Sequence, residues 1–358
     1  MFAARLPLAV LALLLLMHGA TWAQEAKTTR TYENRLARID DPRPILADYP
    51  EFVEPVVCPL RFEAPPLVDD DQADLAVRAW RFSYNARGVV EIPNRLRGRD
   101  TAVIVVHPWG IDDGQGWTTP EPAGIAFLCT AEKNEICNRH MKEVVDPLLK
   151  RLRGRVALVM YSLPGTEDPI RRQIYRSFRG QPSDAQRKAG GQALTARLRS
   201  FDYHGEPLPN VLTLSQEHPV ADYLRQFGGT DAGDRFNAEG FWNMPIPVNR
   251  NIQVAPDDVV IYDAEGYEPL RDYLRAQGIR HVLLAGYNTD MCFCATTAGY
   301  DHLSPDFNVF LVGDATLATF PANPSPKFAT NASISLASRE HLITQASWIE
   351  EGELLDVP

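Results

Sequence analysis

The chain has 358 residues, of which 45% are hydrophobic and 23% charged, and its formal net charge is −10. An acidic balance of this size argues against nucleic acid as a partner, because no dense Lys/Arg patch interrupts it. The short basic run KRLRGR at 150–155 reads as a solvated helix end leading into a strand. The length suits one large domain, or one domain with an appended piece, and is ample for an ordinary core.

The first 23 residues read as a secretory signal peptide. Arg5 supplies the positive start, LAVLALLLLM the apolar stretch, and ATWA a small-residue ending at Ala23. The apolar run is shorter than the roughly 20 residues that span a bilayer, and no later run approaches that length. The expectation is a secreted or periplasmic protein cut near Ala23, with no stable membrane association. An uncleaved membrane anchor is the alternative that the same shortness disfavours.

Residues 24–70 are polar and proline-rich and suggest an extended arm. WRFSYNARGVVEIP at 80–93 alternates in the manner of a hairpin, with Asn85 to Gly88 as its turn. Residues 24–99 therefore form an N-terminal extension, either an added edge hairpin or a dimer arm, which leaves a homo-oligomer open. Five cysteines, Cys58, Cys129, Cys137, Cys292 and Cys294, give an odd count, as suits an exported protein that keeps one thiol free. Cys129 and Cys137 are near enough in sequence to pair, whereas a Cys292–Cys294 bridge would be strained.

From residue 100 the pattern alternates between strands and helices. TAVIVVH (101–107) is an apolar, β-branched run of the kind buried on both faces of a sheet. An insertion near 108–132 precedes a helix near 133–152, then the strand VALVMYSL (156–163) and a short helix near Asp168–Phe178. A second insertion, near 180–250, is polar and reads as irregular, a lid or surface elaboration. DVVIYD (258–263), a helix around Glu268–Gln277 ended by Gly278, HVLLAG, a cysteine-bearing helix, NVFLVGDA and a helix near 326–344 complete the series. Such alternation predicts an α/β fold, a three-layer, doubly wound, mostly parallel sheet carrying the N-terminal hairpin. Ligands of these sheets bind beyond the carboxyl ends of the strands, where His107, Asp263 and Cys292 all fall.

HVLLAGYNTDMCFCATT (281–297) places a thiol, Cys292, between a strand and a helix start. Free N–H groups and the positive end of a helix dipole there favour a thiolate, and the oxyanion formed when it attacks a carbonyl. A small buried apolar cysteine is the bland reading of the same residue. GYNTDMCFCATTAGYD, followed by NVFLVGDAT at 308–316, resembles the signature of the isochorismatase-like cysteine hydrolases, with Gly286, Thr289, Cys292, Thr297, Ala298, Asp314 and Ala315 on the pattern. The resemblance runs from about Thr101 to the C-terminus, with a poorly matched stretch near 180–240.

It implies an Asp–Lys–Cys triad, from which this chain departs twice. The position of the acid, at the end of the first strand, is His107, and that of the lysine is Asp263, or Tyr262 after a one-residue slip. Two readings follow. In one, the site is rebuilt as Cys292–His107–Asp263, an arrangement suited to acyl transfer. The resemblance then implies an oxyanion hole from the N–H groups of Asn288 and Cys292, beside Thr289. Trp109 and Tyr262 are candidates to face the substrate, though aromatics near strand ends more often belong to the core. In the other, the triad is degenerate and the fold binds a ligand or partner without cleaving it. Asp112 and Asp113 are an alternative carboxylate source, though Asp beside Gly is common in turns. Trp117, Phe178 and Tyr267 either wall a pocket or belong to the core.

Nicotinamidase-like relatives carry Asp-x-His after the second strand. This chain has YSLPGTEDP there, and His140 and His204 lack ligand spacing, so neither a metal nor a cofactor is expected. Asn331–Ser333 matches a glycosylation acceptor but falls in an expected helix. The working expectation is an exported hydrolase of a small amide or related C–N substrate acting through a Cys292 thioester.

Overall fold

The computed structural model describes residues 29–53, 55–109, 131–200, 210–227, 244–289, 291–318, 347–352 and 354, without the side chains of 131–134 and 224–227. The signal peptide, most of the insertion near 108–132 with Asp112, Asp113, Trp117 and Cys129, His204, and the helix expected near 326–344 with Asn331 lie outside those residues. The chain divides into two units, Met1–Asn34 and Arg35–Pro358. In the first, the Arg30 guanidinium lies over the Tyr32 ring.

Among the described residues one sheet of ten strands forms the centre, in the order β1-β2-β4-β3-β10-β9-β8-β5-β6-β7. The strands are β1 (Ala37–Arg38), β2 (Arg61–Glu63), β3 (Leu75–Ser83), β4 (Gly88–Leu96), β5 (Thr101–Val106), β6 (Leu158–Leu163), β7 (Val259–Tyr262), β8 (His281–Tyr287), β9 (Asn308–Leu317) and β10 (Ser347–Ile349). From β10 to β7 every pairing is parallel. The antiparallel hairpin β3–β4, turning between Ser83 and Gly88, extends this sheet through β10. The fold is thus the mixed-sheet α/β architecture that the alternation predicts, with the N-terminal hairpin as added strands.

The central strands are apolar for a physical reason. Every residue of β5, β6, β7 and β8 is buried, as covering both faces of a parallel sheet demands. Chain direction reverses its progress across the sheet at β5. From there β6 and β7 build outward on one side, and β8, β9 and β10 on the other. In open α/β sheets such a reversal is where ligands bind, and here it falls at the carboxyl ends of β5 and β8, the strands that lead to His107 and Cys292.

Helices α1 (Ala131–His140) and α2 (Asp146–Leu152) are joined by a π turn over Met141–Val145. Pro147 accounts for the widening, since it has no N–H for the carbonyl four residues back and its ring crowds that carbonyl. A one-turn α3 (Arg171–Ile174) follows β6.

Residues 180–250 differ from the irregular elaboration expected. They contain the sixteen-residue α4 (Asp184–Arg199) and α5 (Pro219–Phe227). Ser183 caps α4, accepting from the Gln186 N–H at 3.3 Å while the Gln186 side chain accepts from the Ser183 N–H at 2.9 Å. Gly190, a poor helix former, is where α4 meets α3. A Cβ there would stand 2.8 Å from side-chain atoms of Gln173 and Ile174. Met244, Ile246 and Val248 are buried, so this part of the segment belongs to the interior. The remaining helices are α6 (Tyr267–Ala276), α7 (Cys292–Ala295) and α8 (Tyr300–Leu303). No helix among the described residues is long and apolar enough to cross a membrane.

Candidate active site

β5 ends on Val106, and the next residue, His107, turns into the left-handed region with φ 48°. Such a conformation costs a non-glycine residue of order 1 kcal/mol or more and is held only by its surroundings. Here the His107 N–H donates to the Ser162 carbonyl at 2.9 Å, and the His107 carbonyl accepts from the Trp109 N–H at 2.9 Å. Asn249 closes the loop from the other side, its N–H donating to the Pro108 carbonyl at 2.8 Å. The imidazole is aimed across the top of β6 toward the end of β7. There its Nε2 meets Asp263 Oδ2 at 2.7 Å.

Asp263 is itself fixed. Its Oδ1 accepts from the Ser162 hydroxyl at 3.2 Å, and its main-chain carbonyl from the Thr297 hydroxyl at 2.6 Å. Nε2 is committed to Asp263, which leaves Nδ1 as the other ring nitrogen, and Cys292 acts electrostatically on the same ring. Burial alone would depress the histidine pKa. The hydrogen bonds to Asp263 and Cys292, and their negative charges, outweigh burial and raise it to about 9. At neutral pH the ring is therefore an imidazolium beside the sulfur. Cys292 is a half-buried free thiol.

The thiol does not stand at a long helix. α7 is a single turn, so a macrodipole contributes little, contrary to the expectation of a helix start with a useful dipole. The local N–H groups matter more. Among the described residues, neither the Asn288 nor the Cys292 N–H has a hydrogen-bond acceptor. The Asn288 Oδ1 and the fully buried Thr289 Oγ1 are also without partners there. Thr289 is locked through its main chain, its N–H donating to the Leu317 carbonyl at 3.1 Å and its carbonyl accepting from Cys294 Sγ at 3.2 Å.

Trp109 is half-buried against the core beside His107. Tyr262 precedes Asp263 but is fully buried, its ring 4.6 Å from the Arg171 guanidinium, and burial raises its pKa. Adjacent residues of an extended chain point to opposite faces, which sends it away from the side Asp263 takes. Phe178 and Tyr267 pack at the margin of the core, with Phe178 against Tyr273 and Tyr267 against His302. The sequence does not signal Ser162, a lone hydroxyl in a buried apolar strand, and raises His140 only in connection with metal ligation; the His140 Nδ1 meets the Tyr287 hydroxyl and its Nε2 the Asp314 carbonyl, both at 2.7 Å. Among the described residues no group of three or more His, Cys, Asp or Glu is arranged to hold a metal ion.

Residues 215–335 match the family model of the isochorismatase domain, a span that includes Asp263 and Cys292 but begins after His107. No curated protein matches the chain. Solved structures similar to it include a cysteine hydrolase from Pseudomonas syringae pv. phaseolicola 1448A, at 16% identity and TM-score 0.37 over 72% of this chain and 92% of that one. A zinc complex of the pyrazinamidase of Pyrococcus horikoshii aligns at 17% identity and TM-score 0.34, over 70% of this chain and 99% of that one. A nicotinamidase from Bacillus subtilis aligns at 13% identity and TM-score 0.31, again over 70% and 99%. Over residues 215–335 the chain is thus similar to the isochorismatase domain.

Proposed function

We propose that this protein is an exported cysteine hydrolase that cleaves a small amide or related C–N substrate through a thioester on Cys292. The observation that carries the reading is the His107–Asp263 pair, 2.7 Å between Nε2 and Oδ2, with Cys292 acting on the same ring.

The imidazolium of His107 stabilises a Cys292 thiolate, which is the nucleophilic form of the residue. The sulfur attacks the substrate carbonyl carbon, and the carbonyl electron pair moves to oxygen. In this reading the Asn288 and Cys292 N–H groups stabilise that oxyanion. When the intermediate collapses, the C–N bond breaks and His107 gives its proton to the departing amine, leaving the thioester. Neutral His107 then removes a proton from water, the hydroxide adds to the thioester, and the acid leaves as the thiolate re-forms. Asp263 keeps the ring oriented and balances its charge throughout. Export rests on Arg5, the apolar stretch after it and Ala23.

Incubation with a panel of small primary amides, followed by intact-mass analysis and an ammonia assay, tests this. Ammonia release with an acyl adduct on Cys292, both absent from Cys292→Ala, is the expected result. A Cys292→Ala variant that releases ammonia as fast as wild type would overturn it.

A further inference from the structure

His107 and Asp263 do not come from neighbouring strands. β6 lies between β5 and β7. Two strand spacings separate their backbones by about 10 Å, yet the side chains meet at 2.7 Å above the end of β6. A pair that leans over an intervening strand needs support from that strand, and one residue supplies it on both sides. The fully buried Ser162 receives the His107 N–H on its carbonyl at 2.9 Å and donates its hydroxyl to Asp263 Oδ1 at 3.2 Å. One contact holds the left-handed turn that aims the imidazole. The other occupies the carboxylate oxygen that does not face the ring.

We infer that Ser162 is a positioning residue of this site, a hydroxyl on the strand between acid and histidine that fixes the Asp263 carboxylate so that its Oδ2 stays on His107 Nε2. The inference rests on the catalytic reading of Cys292, His107 and Asp263. A hydrogen bond to the carboxylate limits its rotation. Without it Asp263, whose side chain is 24% exposed, is free to turn toward solvent. His107 then loses the acceptor that raises its pKa, and the thiolate of Cys292 loses its counter-charge. The backbone half of the support survives side-chain substitution, so the chain has no reason to unfold when only the hydroxyl is removed.

Ser162→Ala and Ser162→Thr in the full chain separate this role from a packing role. Three readouts apply to each: kcat and KM on the amide found active, the pH dependence of iodoacetamide labelling at Cys292, and the His107 titration by NMR. The expected result is a roughly tenfold lower kcat at unchanged KM for Ser162→Ala, a His107 titration moved down in pH, and slower labelling near pH 6. Ser162→Thr, which keeps the hydroxyl, should restore all three. A Ser162→Ala protein with wild-type titration and labelling profiles overturns the inference, whatever its stability. A wild-type protein whose Cys292 labels no faster than an ordinary thiol overturns the catalytic reading instead, and so distinguishes the two failures.

Discussion

His140, at the end of α1, and Tyr287, at the end of the strand that leads to Cys292, are hydrogen-bonded at 2.7 Å, and both are buried. The same ring reaches the Asp314 carbonyl on β9 at 2.7 Å. It does so where β8 and β9 lose register, between Leu284 and Gly286. One histidine thus ties together two strands at the point where their ladder is interrupted, and steadies the backbone just before Asn288. His140→Ala leaves the Tyr287 hydroxyl and a carbonyl without this partner and opens a cavity, so it should cost about 3 kcal/mol or more. Tyr287→Phe removes one hydrogen bond and should cost about 1 kcal/mol. Urea unfolding of both, and of the double variant, measures the coupling.

Gly286 has φ 115°, and a Cβ on it would lie 2.1 Å from the Val106 carbonyl oxygen. Backbone cannot yield as a flexible side chain does, and the overlap sits where β5 and β8 deliver His107 and Cys292. Gly286→Ala should therefore destabilise by more than about 3 kcal/mol. A thermal melt would show it, and an unchanged midpoint would contradict the close approach.

The raised pKa of His107 also predicts a stability profile. A group bound more tightly to its proton in the folded state stabilises fully below its unfolded value, about 6.5. That contribution is lost as pH rises through the folded value, about 9. The stability difference between wild type and His107→Gln should be largest below pH 6.5 and shrink steadily to about pH 9. Denaturant midpoints over that range check it, and a difference that grows with pH would reverse the assignment.

Asp263→Asn retains the shape of the dyad but not its charge. Turnover should fall by about 10²-fold or more, as when a triad loses its acid. The His107 titration should drop toward its ordinary range, observable by NMR.

Much of this arrangement is legible in the amino acids. TAVIVV and HVLLAG declare buried strands because parallel sheets need apolar residues on both faces. The alternation through 80–93 declares the hairpin, and Cys292 is marked by its turn. The order of strands is not written locally. That β6 separates β5 from β7 makes Ser162 important, and nothing in VMYSL signals it. α4 is hidden by Gly190 and Gly191, which oppose helix propensity; Gly190 is required because α3 comes so close there. His140 finds partners 147 and 174 residues away, so its surroundings in the sequence carry no trace of its role.

The central claim is that His107 activates Cys292, and the rate of iodoacetamide labelling at Cys292 against pH, in wild type and His107→Ala, tests it most directly. The account predicts rapid labelling near pH 6 in wild type and a loss of that reactivity in His107→Ala. Labelling that rises only near an ordinary thiol pKa of about 8.5, equally in both proteins, would contradict it.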